Sequence, residues 1–417
     1  MILKFWNFLN NRQLWLFAGS GLLVSVAYID PGNWGTNISA GAEYNYDLLW
    51  VIWMASAVAM LFQYLSGKLG IVGHSLPDLV RNKLQKKWKI LTYWLLAEIS
   101  ILATELAEFL GIVVALQLLF GIPMIWGTFI SLAEVVILFI LFGDKLRRFE
   151  KAFVFFVGLV GLAFLYEVII TSPDLEKIVT HSVVPTFSKE TIILIVGIIG
   201  ATVMPHALFV HSWFIKGKMK QFPQLSKKQA AGYHLFDNVL FLFIAGLINA
   251  SMLIMAAAAF FGLDTPVATL EGAYETLKPL FGEFSSVIFG LALLSAGIAS
   301  SITGAFAGQA LMDSLTNFKI SVLMRRLITR VVNIIPLTMA ILMGFDPLNL
   351  LVYSQVVLSL LIPLPMIPII YFSSQRKIMG EIANHPFTTK LAWLCGLVII
   401  GLNIYLLYAF FVLGIEL

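Results

Sequence analysis

Eleven apolar stretches, each bounded by charged or turn residues, divide the chain at about 14–43, 46–72, 90–118, 123–142, 150–170, 190–214, 231–260, 283–314, 323–343, 348–372 and 389–413. Each reaches the roughly 20 residues that a helix needs to cross the ~30 Å hydrocarbon core of a bilayer. Inside that core every backbone N–H and C=O must be satisfied by the chain itself, which leaves only helices and closed barrels. The stretches are about twice the length of a barrel strand, so the chain is predicted to be an all-α integral membrane protein. Composition agrees: 12% of the residues are charged and 59% hydrophobic, whereas soluble domains carry about 25% charge. The spans and their short loops use up the 417 residues, so a single transmembrane domain is expected over 1–417. The lone cysteine, Cys395, excludes an intrachain disulfide, a CxxC metal site and an iron–sulfur cluster.

Charge placement predicts the orientation. Of the 27 Lys and Arg residues, 23 fall on one side if the N-terminus and alternate loops are grouped together. The other side receives only Lys177, Lys189 and Lys278, and Arg330 lies within a span. By the positive-inside rule the N-terminus is cytoplasmic and, with eleven spans, the C-terminus is outside. This topology accounts for the basic run Lys83 to Lys89 without nucleic acid. Met1 to Arg12 is too short for a complete signal peptide, and no small-residue cleavage pattern follows, so the first span is expected to be permanent.

Two spans contain helix breakers at mid-depth. In the first, Tyr28-Ile29-Asp30-Pro31-Gly32-Asn33-Trp34 combines a residue forced out of helical geometry before proline, a missing amide donor and a permissive glycine. In the sixth, Gly200-Ala201-Thr202-Val203-Met204-Pro205-His206 repeats the pattern. Such breaks are tolerated within a membrane only where the freed carbonyls are buried in protein or face a cavity. An intramembrane carboxylate, Asp30, beside Asn33 and Asn37, asks for a cation. Met204 stands at the opposing break, where a thioether gains a role beyond packing. The breaks lie in spans one and six, five spans apart, and since five is odd the broken helices run in opposite directions. This is the mark of two inverted five-helix repeats with a midplane transport site, here about 14–170 and 190–372, with an extra helix at about 389–413.

A second polar track follows the third span, where Glu98, Glu105 and Glu108 share an arc of about 80° at 100° per residue. Three acids on one stripe cannot face lipid. Arg325, Arg326 and Arg330 of the ninth span are the expected partners, either as a proton-conducting chain or as a static salt-bridge network. Asn249 in the seventh span is a candidate to support the site from behind, and His74, His211 and His234 are expected to make helix-end hydrogen bonds.

Taken in order, Asp30-Pro31-Gly32-Asn33, Thr104-Glu105-Leu106-Ala107-Glu108, Gly200 to His206, Arg325-Arg326 and Ser354-Gln355-Val356-Val357-Leu358-Ser359 closely resemble the Nramp (MntH-type) divalent-metal transporters. The resemblance extends over essentially the whole chain. It implies the LeuT-type fold and proton-coupled uptake of Mn²⁺ or Fe²⁺, with Cd²⁺ also carried, and with metal ions and protons as substrates rather than resident cofactors. It places the metal ligands on Asp30, Asn33, the Ala201 carbonyl, Met204 and, in some conformations, Gln355. It assigns His206, Glu98, Glu105, Glu108, Arg325 and Arg326 to the proton route. The chain departs from the commonest family pattern at Glu105, where aspartate is usual, at Ala207 in place of asparagine, and at Gly35 in place of alanine. None of these is an implied ligand.

The residue types suit the task. One carboxylate, neutral oxygens and a soft thioether penalise Mg²⁺ and Ca²⁺ relative to a transition metal and hold the ion loosely enough for release. The competing expectations are a Mg²⁺ transporter of the same superfamily or an amino-acid symporter on the same scaffold. Met204 opposes the first and Asp30 the second. An enzyme is not expected, since neither HExxH nor GxSxG occurs.

Overall fold

The computed structural model describes residues 12–17, 19–142, 146–263, 270–316, 318 and 320–414. The N-terminal residues 1–11 and the loop residues 143–145, both counted above as cytoplasmic, lie outside them. The first apolar stretch is three pieces, α1 (Arg12–Phe17), α2 (Ser20–Ala27) and α3 (Pro31–Tyr44). Next come α4 (Leu49–Ile71), the short α5 (Leu76–Leu84), α6 (Lys87–Phe120), α7 (Met124–Phe142), α8 (Leu146–Thr171) and the short α9 (Leu175–Val183). The sixth stretch is split into α10 (Ile192–Val203) and α11 (Pro205–Gln221). Beyond it lie α12 (Lys227–Phe260), α13 (Leu270–Phe281), α14 (Glu283–Leu311) with a π-turn at Met312–Thr316, α15 (Val322–Leu342), α16 (Pro347–Leu361), α17 (Pro363–Ser374) and α18 (Pro386–Phe411). Seven of these units, with α10–α11, α16–α17 and α14 with its π-turn each counted as one, are long and apolar enough to cross a membrane. The α1–α3 series is too fragmented to count as one helix, as its breakers predict.

Two differences from the sequence reading have simple causes. The tenth stretch is not one helix: α16 ends at Leu361 and α17 restarts with Pro363 at its first position. Proline brings no amide to the preceding ladder, so it is tolerated at a helix start and breaks a helix interior. The loop after α4 contains α5, which Ser75 and Asp78 close with a reciprocal capping box and Pro77 starts.

Helix α3 packs along α12, α10 along α16 and α4, and α6 along α14, so both breaks meet at the centre of the bundle. The α10–α16 contact is backbone on backbone. A Cβ at Gly200 would overlap the Gln355 carbonyl and stand 2.8 Å from the Ser359 nitrogen. The wholly buried Trp34, one turn beyond the first break, wedges edge-on between Phe164 and Phe289, with ring centroids 4.7 and 5.1 Å away. These T-shaped contacts fix the rotation of α3, and with it the direction of Asn33.

Candidate functional site

At the first break the chain leaves helical geometry at Asp30, whose φ of −68° and ψ of 163° make it the N-cap of α3. One carboxylate oxygen, Oδ1, accepts hydrogen bonds from the Asn33 backbone and side-chain nitrogens, both at 2.8 Å. The same Asn33 amide donates to the Ala201 carbonyl at 2.9 Å, and Thr202 donates to Asn33 Oδ1 at 3.3 Å. Asn33 therefore bridges the breaks on α3 and α10. The carbonyl of Tyr28, freed where α2 ends, accepts from Asn249 at 2.7 Å, and Asn37 donates to Asn249 at 3.3 Å. Asn249 thus joins the freed Tyr28 carbonyl to Asn37 of α3.

Met204 ends α10 and begins α11 with φ 48°, a left-handed value that a residue bearing a Cβ adopts only under constraint. It is completely buried, as are Asp30, Asn33 and Gln355. Gln355 reaches the site through Gly32: a Cβ there would overlap the Gln355 amide and approach Asp30 Oδ2 to 2.9 Å. The missing methyl leaves a cradle between carboxylate and amide. Among the described residues, neither Asp30 Oδ2 nor Gln355 Oε1 has a hydrogen-bond donor, although both are buried. Nor do any three His, Cys, Asp or Glu side chains gather as a metal cluster among the described residues. A cation here would take one carboxylate, amide and carbonyl oxygens, and sulfur.

The polar track begins beside this cradle. His206 Nδ1 lies 3.0 Å from the Thr104 hydroxyl, joining α11 to α6 one residue before Glu105. Glu105 Oε1, both carboxylate oxygens of Glu108 and His206 Nε2 are buried and have no partner among the described residues. Glu105, Glu108, Ser301, Arg326, Arg330 and Asn333 line a small cavity with room for about one water.

The expected pairing of the third-span acids with the three arginines is only partly realised. Arg325 pairs with Glu98 at 2.5 Å, but Arg326 and Arg330 both pair with Glu134 of α7, at 2.8 and 3.0 Å. Glu134 is absent from the sequence reading, although a lone acid inside the fourth apolar stretch is the kind of signal that singled out Asp30. Glu167 of α8 was missed in the same way; both its oxygens accept from Ser285, at 2.8 and 2.7 Å. His211 and His234 are not helix-end residues. His211 bonds Gln63 at 2.8 Å in the interior of α11 and stands edge-on to His234, with ring centroids 4.9 Å apart.

Similarity to known proteins agrees with this arrangement. The Nramp family profile, described as natural resistance-associated macrophage protein-like, matches residues 21–409. The divalent metal cation transporter MntH of Deinococcus radiodurans is 39% identical over 399 residues, covering 95% of this chain and 90% of that protein. MntH of Verminephrobacter eiseniae is 41% identical, covering 94% of this chain and 88% of that protein. The crystal structure of the Eremococcus coleocola manganese transporter, in complex with an aromatic bis-isothiourea compound, superposes with a TM-score of 0.84 at 30% identity, covering 96% of this chain and 88% of that one. The inward-facing structure of Mhp1, at 14% identity and a TM-score of 0.55 with 94% and 88% coverage, shares the fold. These relatives are transporters rather than enzymes, and the match runs through both breaks and almost to the end of α18: the chain belongs to the Nramp family.

Proposed function

We propose that this chain imports divalent transition metal ions, Mn²⁺ and also Fe²⁺ and Cd²⁺, across a bacterial inner membrane by alternating access, coupled to protons and with its N-terminus in the cytoplasm. The observation that carries the reading is the buried carboxylate oxygen Asp30 Oδ2, which has no donor among the described residues and stands beside the Gln355 amide at the Gly32 cradle. A buried anion without a partner is costly, and a cation seated there removes that cost. Asp30 provides the charge, the Asn33 oxygen, the Ala201 carbonyl and Gln355 provide neutral oxygens, and Met204 provides sulfur. The unwound residues of both breaks present these groups at the junctions of half-helices, which makes them movable when one repeat rocks against the other.

Protons leave by a separate route. Glu108 and Glu105 have acceptor positions open toward a water-sized cavity, and His206 Nε2, buried nearby on α11, has no partner among the described residues, the condition for a relay. The Glu134 pairs with Arg326 and Arg330 set the electrostatic wall of that route, and the Arg325–Glu98 pair leaves Glu98 Oε2 and Arg325 Nε without a partner among the described residues, so it stays available to the relay. The direct test is uptake into liposomes containing the purified protein, with Mn²⁺, Fe²⁺, Cd²⁺, Mg²⁺ and Ca²⁺ offered side by side and lumenal pH followed. Transition-metal entry with lumenal acidification is the expected result. Equal carriage of Mg²⁺, or metal entry without proton movement, refutes the corresponding half of the proposal.

A further inference from the structure

Far from the midplane, a cavity of about 620 Å³ opens where α5, the start of α6 and the π-turn after α14 meet. Its polar edge is Arg81, Asn82, Gln85 and Lys87, its other wall is Ile90, Leu91, Trp94, Leu315 and Phe318, and no carboxylate among the described residues lines it. Arg81 donates to the Ser314 carbonyl at 3.1 Å, which fixes the guanidinium at the rim. Gln85 joins α5 to α6 with φ 56°, a strained turn for a residue with a side chain, and this turn brings Arg81 and Lys87 to the same edge.

The apolar wall continues outward without interruption. Trp88, Leu91, Leu95 and Ile99 are all exposed, 64%, 48%, 49% and 47% respectively, and their spacing places them on one face of α6. That face meets lipid. Leu91 belongs both to it and to the cavity wall, so the cavity mouth sits where the hydrocarbon-facing stripe begins, at headgroup depth, on the side that carries the basic residues. A free phosphate ion would leave the Ile90, Leu91 and Phe318 wall without a partner, whereas a phospholipid matches both edges.

We propose that this cavity is a binding site for one anionic phospholipid, its headgroup phosphate held by Arg81 and Lys87 and one acyl chain lying along Ile90, Leu91 and the exposed face of α6. The α5 segment that forms the basic edge is also tied to α11 by the Lys216–Asp78 ion pair at 2.6 Å and by Ser212 accepting from the Leu76 amide at 2.8 Å. Lipid occupancy is therefore mechanically joined to the half-helix that begins at Met204.

The test uses the full-length protein, delipidated in a neutral detergent and titrated with phosphatidylglycerol or with phosphatidylcholine of the same acyl chains, with bound lipid counted by native mass spectrometry. One phosphatidylglycerol should be retained at least tenfold more strongly than phosphatidylcholine. Lys87→Gln should lower that retention about fivefold, the equivalent of about 1 kcal/mol for one basic side chain at an anionic surface. Leu91→Trp keeps every charge and narrows the apolar wall, and should lower retention as well. Both side chains are exposed, so the unfolding midpoint of the lipid-free variants should match the parent. Millimolar inorganic phosphate should not release the lipid. Equal retention of the two lipids, unchanged retention in both variants, or release by phosphate overturns the proposal.

Discussion

Gly32→Ala is a one-methyl test of the cradle. Gly32 is the second residue of α3, where alanine is the better helix former by up to about 1 kcal/mol. The added Cβ, however, would stand 2.9 Å from Asp30 Oδ2 and overlap the Gln355 amide. Overpacking of this kind costs about 1–3 kcal/mol, so the net loss of stability should be about 0–3 kcal/mol and the protein should still fold. The side chain free to yield is Gln355, whose amide is held by a bond of 2.9 Å to Ser354. Once displaced, it no longer faces Asp30, and the methyl occupies the space of the ion. Mn²⁺ affinity measured by calorimetry should fall at least tenfold, about 1.4 kcal/mol or more. Adding Gln355→Ala removes the larger steric conflict and leaves only the 2.9 Å approach to Asp30 Oδ2, so the double variant should recover part of the lost thermal stability without recovering affinity, a coupling of opposite character in the two readouts. If Gly32→Ala and Gln355→Ala each bind and transport Mn²⁺ within twofold of the parent, the cradle is not where the ion sits.

Met204→Ala should weaken Mn²⁺ uptake by tenfold or less while Ca²⁺ begins to compete, and Cd²⁺, which gains most from sulfur, should lose more than Mn²⁺ in the same competition assay. Glu105→Gln and Glu108→Gln should each reduce lumenal acidification more than metal entry, because the ligands remain; equal loss of both fluxes would favour a static network. Glu134→Gln leaves Arg326 and Arg330 short of their shared anion, and removing one partner of a buried network costs about 3–5 kcal/mol. Its thermal midpoint should therefore fall further than that of Glu167→Gln, where Ser285 remains a neutral hydrogen-bond partner.

The breaks are legible in the sequence because proline and glycine act locally: at Asp30-Pro31-Gly32 and Met204-Pro205 the proline starts the second half-helix and the residue before it leaves helical geometry. The meeting of Asn33 with Ala201 is a long-range contact that periodicity alone cannot give; the family resemblance names both residues as metal ligands and says nothing of a bond between them. The pairing of the arginines was misread because a helical arc says which residues share a face and not which neighbour that face meets. Glu98, Glu105 and Glu108 lie on one stripe, yet among the described residues only Glu98 reaches an arginine as an ion pair, since α7 interposes Glu134. The break at Pro363 was hidden by hydropathy, which stays high through Ile362 and Leu364 and carries no information about the missing amide. Helix α5 escaped for the opposite reason: its Ser75 to Asp78 capping box is a clear start signal in a segment too polar to be counted as a span.

The account rests on Asp30 as the only full negative charge among the proposed ligands. Calorimetric titration of Mn²⁺ into purified parent and Asp30→Ala protein, with folding checked by thermal unfolding, addresses it most directly. A saturable binding heat in the parent that disappears in the folded variant is the predicted result. Unchanged Mn²⁺ binding in Asp30→Ala would contradict the assignment of the site.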